Sequence, residues 1–180
     1  MDADVPYHSS AFADIILRSS DDVHFYGIGQ LLCLVSPVFM DMLALNRGPA
    51  AEENESKCNL PIVPLEEHSE TLYLLLDSLL PRTEEPKLTS FSLLWKVGKA
   101  VKKYFMDVVE GKLKNRLLTS ELISSELFGI YAVATDLEWE LVASEAARRT
   151  LDIPLESLAF VDQLHGITGL GFYRFLEYRL

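Results

Sequence analysis

The order of hydrophobic patterns along the chain predicts an α+β fold: a small sheet packed against a helical cluster, followed by an all-helical C-terminal extension. Three observations carry this prediction. Strand periodicity is confined to two runs within 13–27 and one at 60–63. From Phe91 onward every apolar repeat is helical. Two polar, proline-containing stretches, 46–59 and 82–90, separate the blocks and read as exposed loops.

Ile15, Ile16 and Leu17 form an apolar strand run. Ser19, Ser20, Asp21 and Asp22 read as a turn, because short polar side chains bond the local backbone and compete with a ladder. Val23 and Phe25 alternate on a second strand, which puts His24 on the opposite face and toward solvent. Helices are predicted over 29–35 and 37–45. Ser36 is the N-cap of the second, with Pro37 at its first position, where a missing N–H costs nothing. Leu60 to Val63 is a short strand, and Pro61 places it at an edge or a strand start. Over 66–80, Leu72, Leu75, Leu76 and Leu79 recur at i, i+3, i+4 and i+7, which predicts a helix with one apolar face. Leu94, Val97, Val101, Tyr104, Phe105 and Val108 line the next helical stretch, and Leu113, Leu117 and Leu118 continue it after Gly111. Helices over 121–134 and 138–151 follow, and 155–180 reads as two short helices with an aromatic end. Residues 1–9 read as a loose lead, and no internal repeat is visible.

A chain of 180 residues is one domain, or one domain with an appendage. Its 49% hydrophobic and 24% charged content argues for a packed core and against disorder. The net charge of −11 repels phosphate backbones and acidic lipid, so neither direct nucleic-acid binding nor a membrane partner is expected. The charge is uneven: residues 1–90 hold 5 basic and 15 acidic side chains, residues 91–180 hold 11 and 12. The acidic N-terminus has no apolar signal region, and the longest apolar run, Leu31 to Met40, is too short to cross a bilayer. An intracellular chain is expected, in cytoplasm or nucleus. Cys33, on an apolar helix, reads as a small core residue and Cys58 as a loop thiol, which makes no disulfide framework.

The histidines His8, His24, His68 and His165 do not pair with each other or with cysteine at metal-ligand spacing. Gly27-Ile28-Gly29 follows a strand and precedes a helix, but Leu32 occupies the third glycine position of a dinucleotide turn. Neither a nucleophile elbow nor a phosphate loop is present. No cofactor and no enzymatic activity are therefore expected. Lys96, Lys99 and Lys103 fall at i, i+3 and i+7. Such a stripe is ordinarily a solvated helix face; the sharper reading is a docking stripe for an acidic partner.

Several of these residues form one pattern. Asp14 opens the first strand and Phe25 stands on the second. Leu31 and Leu32 lie on an apolar helix, and Ser36, Pro37 and Phe39 make a Ser-x-x-Phe element. This resembles the start of a BTB/POZ domain, a family in which a short strand like Leu60 to Leu65 precedes the next helix. The family's Ala-His pair is Gly27-Ile28 here. The closing Ile167 to Arg174 is similar to the ends of BTB chains from filamentous and mushroom-forming fungi. The resemblance implies a BTB/POZ domain over 10–110 and a helical extension over 111–180. It implies a non-catalytic protein–protein interaction module that self-associates as a homodimer and scaffolds partners. The implied contact residues are Phe12, the 30–34 helix with Leu31, and the 36–45 helix, where Met40 and Met42 offer adaptable apolar area. Two narrower roles follow from the family: substrate adaptor of a cullin-RING ubiquitin ligase, with a cullin as partner, or scaffold for transcriptional co-regulators. Many cullin-binding members carry a hydrophobic-x-Glu element after the Ser-x-x-Phe helix, and Ala50-x-Glu52 is a poor version of it.

Overall fold

The computed structural model describes residues 1–9, 12–45, 55–80, 90–120, 123, 126–158 and 162–179. Most of the two expected loops, 46–59 and 82–90, lies outside the described residues, as does Ala50-x-Glu52. The architecture is α+β, with one four-stranded sheet and eight α-helices among the described residues. The chain divides into two units, Met1–Thr83 with Ala100–Val109, and Glu84–Lys99 with Glu110–Leu180.

In the first unit, β1 (Ile15–Arg18) pairs antiparallel with β2 (His24–Gly27), Ile15 opposite Gly27 and Leu17 opposite Phe25. The turn between them is closed by Ser19, whose Oγ accepts the Val23 N–H at 3.0 Å. Two further strands, β3 (Ser56–Lys57) and β4 (Leu60–Pro64), complete the sheet in the order β2-β1-β4-β3. β4 runs parallel to β1, with Ile16 opposite Ile62. β1 is central, which is why Ile15, Ile16 and Leu17 are all buried and read as a continuous apolar run rather than an alternating one. β3 falls in the stretch read as loop. It forms because Cys58 and Asn59 both take positive φ (55° and 61°), the two-residue turn that suits a hairpin's twist.

Residues 1–9, expected as a loose lead, contain a segment that covers the free edge of β2. The Met1 carbonyl accepts the His24 N–H (2.8 Å), Ala3 N–H donates to the His24 carbonyl (2.9 Å), and Tyr26 N–H donates to the Tyr7 carbonyl (2.9 Å). An unpaired strand edge is a template for unwanted pairing, and this segment occupies it. Tyr7 is buried, with its ring 5.9 Å from Phe25 and 5.5 Å from Tyr73. His24, expected toward solvent, is half-buried, with Nδ1 3.5 Å from Asp2 and 3.2 Å from the Lys57 ammonium.

Helices α1 (Gly29–Val35) and α2 (Pro37–Leu45) fall where the sequence predicts them. The third, α3 (Ser69–Asp77), is shorter than the expected 66–80. Leu65 N–H donates to the Arg18 carbonyl and the Glu67 carbonyl accepts Ser20 N–H, so 65–67 runs on beside β1 instead of coiling. Asp21 then starts the helix from a distance, accepting from the Ser69 N–H (2.7 Å) and hydroxyl (2.6 Å). Leu72, Leu75 and Leu76 are buried as the periodicity requires.

The remaining helices are α4 (Phe91–Lys103), α5 (Asp107–Thr119), α6 (Leu127–Asp136), α7 (Glu140–Arg149) and α8 (Gly169–Arg179), with 3-10 turns at Thr150–Asp152, Leu155–Ser157 and Asp162–Gly166. α4 and α6 end in the same way. Phe105 N–H donates to the Lys102 carbonyl and Met106 N–H to Val101 (2.9 Å); Glu138 N–H donates to Thr135 and Trp139 N–H to Ala134 (2.7 Å). Each is a Schellman motif with a left-handed residue at its apex, Phe105 (φ 50°) and Glu138 (φ 58°). Residues 33 positions apart match in burial: Leu94 and Leu127, Val97 and Ile130, Tyr104 and Leu137, Met106 and Trp139, Val109 and Val142. The two helix-turn-helix segments are thus a structural repeat, invisible in the sequence because they share burial and a turn but few residues. Gly98 is required by packing in the second unit, since a Cβ there would lie 2.3 Å from Leu137 Cδ1 and 3.3 Å from Trp139 Cη2.

A left-handed apex favours glycine, because any Cβ crowds the backbone there. Glu138→Gly is therefore expected to stabilise the protein by about 0.5–1 kcal/mol, read as a higher midpoint in urea unfolding.

Candidate functional site

The residues of the sequence pattern converge on the first unit, around α1 and α2. Asp14 Oδ1 accepts the Gly29 N–H at 2.5 Å, so the residue opening β1 caps the first turn of α1. Gly29 itself is packed closely: a Cβ would stand 3.0 Å from Leu43 Cδ1 and 3.3 Å from Asp14 Oδ1. Ser36 does two jobs. Its hydroxyl accepts the Phe39 N–H (3.0 Å), capping α2, and donates to the Tyr104 carbonyl (2.5 Å). Phe39 stacks on the Tyr104 ring, centroids 4.6 Å apart and planes at 26°. Phe25, Leu32, Phe39 and Leu43 are buried, while Pro37 is exposed on the first turn of α2. The pattern residues are therefore scaffold: they fix how α1 and α2 leave the sheet.

What α1 and α2 turn outward is apolar. Leu34 is 82% exposed, Leu45 76% and Met40 51%, and Leu31 and Met42 are half-buried. Leu31 and Leu34 lie three apart on one face of α1. Val38, Met42 and Leu45, at i, i+4 and i+7, form a second stripe on α2, distinct from the buried pair Phe39 and Leu43. Phe12, before β1, is 85% exposed. A cavity of about 140 Å³ joins these elements, lined by buried Tyr26, Leu32 and Leu76 and by Phe12, Ile28 and Leu31; no charged side chain lines it among the described residues. From Ile28 to Leu45 the only charged residue is Asp41, although residues 1–90 carry 15 acids. Cys33 on α1 is half-buried rather than a core residue, and Cys58 is exposed.

The lysine stripe divides between internal partners. Lys103 reaches Glu66 (2.8 Å) and Glu67 (2.9 Å), and Glu67 also accepts from the Tyr104 hydroxyl at 2.5 Å. Burial and then this carboxylate hold the Tyr104 phenol far above its ordinary range, so it stays protonated and donating. The Lys103 hydrogen bond lowers the Glu66 carboxyl. In the second unit Lys99 lies 3.4 Å from Asp136 and 3.9 Å from the Trp95 ring centroid, and Trp95 Nε1 donates to the same carboxylate (2.6 Å). Lys96 is exposed. Two of the three lysines thus hold structure together, and the partners, Glu66, Glu67 and Asp136, carry no sequence signal that pairs them with α4.

Set against known proteins, the chain matches no family model and no curated sequence. No group of three or more His, Cys, Asp or Glu side chains that could hold a metal ion occurs among the described residues. None of the described helices is long and apolar enough to cross a membrane. What the α1–α2 surface offers chemically is apolar area with little charge.

Proposed function

We propose that this chain is a protein–protein interaction module of the BTB/POZ type that self-associates through the outward face of α1 and α2. The observation that carries the reading is the exposed apolar surface of Leu34, Met40 and Leu45 on a segment with one charged residue. Charge depletion at the centre of a contact is the compositional mark of interfaces, and this segment combines exposed apolar side chains with one charge. The order hairpin, two helices, two further strands, helix supports the family assignment. So do the Asp14 cap and the Ser36 bridge to Tyr104, which give the pattern residues a physical role. The second copy is the partner: the same patch on both chains makes a two-fold contact without any added recognition element.

Light scattering after size exclusion tests this. The wild type is expected to run at twice its 20.3 kDa mass. Met40→Glu is expected to remain folded, since Met40 is half exposed, and to raise the dimer dissociation constant about a hundredfold by placing an unpaired carboxylate in an apolar contact. A wild type of monomer mass at every concentration overturns the reading.

A further inference from the structure

We propose that the cleft beside α1 is a socket for Phe12 of a second copy, so that each chain seats its Phe12 ring in the other. The proposal rests on self-association through α1 and α2 and names the contact that anchors it.

The cleft is the cavity of about 140 Å³ in the first unit. Leu32 and Leu76, 2% and 5% exposed, form its floor. Much of the remaining lining is open to an incoming group: Ile28 is exposed, and Gly27 and Leu31 are half-buried. No charged side chain lines the cleft among the described residues. An apolar space of this kind is poorly hydrated and favours an apolar occupant; one of about 150 Å³ stays dry and takes up a benzene ring. The cleft therefore matches one phenyl group in both size and chemistry.

Gly27 gives a second reason to expect an occupant. It lines the cleft at the end of β2. Its φ is not positive, and a Cβ there would meet only Ile15 Cγ2, at 3.9 Å. Neither its backbone conformation nor its described neighbours call for glycine. A strand glycine of this sort marks a site that another group approaches closely.

Phe12 is the group that fits. It stands at the rim of the cleft yet is 85% exposed, the most exposed aromatic side chain among the described residues. It therefore does not fill the cleft of its own chain. A two-fold contact is self-complementary, so what one chain presents the other receives. A ring at the rim of a socket of its own size lets one symmetry axis seat both rings at once. Leu31 lines the socket and shares a face of α1 with Leu34, which ties the socket to the self-association surface.

Concentration-dependent light scattering, read as the dimer dissociation constant, tests this with Phe12→Ala, Gly27→Val and the double variant. Phe12 is exposed and a Cβ at Gly27 makes only an ordinary contact, so the variants fold. Phe12→Ala is expected to raise the constant about thirtyfold, the loss of one aromatic anchor. Gly27→Val, which fills the socket, is expected to raise it about tenfold or more. The double variant is expected to be no weaker than the weaker single one, because both changes remove the same contact. Losses that multiply in the double variant overturn the proposal, since the ring then acts away from the socket. A dimer that Met40→Glu breaks and Phe12→Ala leaves intact overturns the socket but not self-association through α1 and α2. A wild type of monomer mass overturns both.

Discussion

Phe39→Ala is expected to lower the unfolding free energy by about 3–5 kcal/mol, the range for removing a fully buried aromatic ring. Phe39 has no solvent exposure and stacks on Tyr104. The cost falls at the upper end of that range because the site cannot collapse. Tyr104 is tethered at both ends, its hydroxyl by Glu67 and its carbonyl by Ser36, so its ring cannot follow the shrinking neighbour. Urea unfolding followed by far-UV circular dichroism measures the loss. Met40→Ala, on the exposed side of the same helix, is the control and is expected to change stability by less than about 1 kcal/mol.

Trp139→Ala is expected to cost about 3–5 kcal/mol as well, for a different set of contacts. Trp139 fills the space that Gly98 leaves open, and its Nε1 donates to Glu110 at 2.5 Å. Trp139→Phe separates the two effects. It keeps most of the apolar area but removes the donor, which leaves about 1–3 kcal/mol for the lost hydrogen bond and the poorer fit. Because Glu110 keeps its Lys114 partner at 3.0 Å, the phenylalanine variant does not strand a bare carboxylate and is expected near the lower bound. Equal loss in both variants would mean that the hydrogen bond, not the ring, dominates.

Local chemistry made much of the first unit legible. The turn at Ser19–Asp22, the Ser36-Pro37 start of α2 and the leucine spacing of α3 each rest on residues within a few positions of one another. The departures share a physical cause: they depend on partners distant in sequence or on backbone rather than side chains. The segment at 1–7 docks through main-chain bonds to β2, which no apolar period announces. Asp21 decides where α3 begins from 48 residues away. β3 needs Cys58 in a left-handed conformation that cysteine does not advertise, and the Schellman turns put Phe105 and Glu138 where glycine is the usual signal. The candidate surface was half legible. Met40, Met42, Leu31 and Phe12 could be named from the sequence, whereas the exposure of Leu34 and Leu45 emerges only once buried Leu32 fixes which way α1 faces and buried Phe39 and Leu43 fix which way α2 faces.

The claim that α1 and α2 form the self-association face is tested most directly by amide hydrogen exchange at two protein concentrations. Raising the concentration from about 1 to about 100 µM shifts a reversible dimer toward its bound form by mass action. Exchange within 28–45 is then expected to slow, with the largest change around Leu34 and Met40, and the same change is expected to vanish in Met40→Glu. Exchange in 28–45 that is independent of concentration, or protection that grows elsewhere while this segment stays open, would contradict the account.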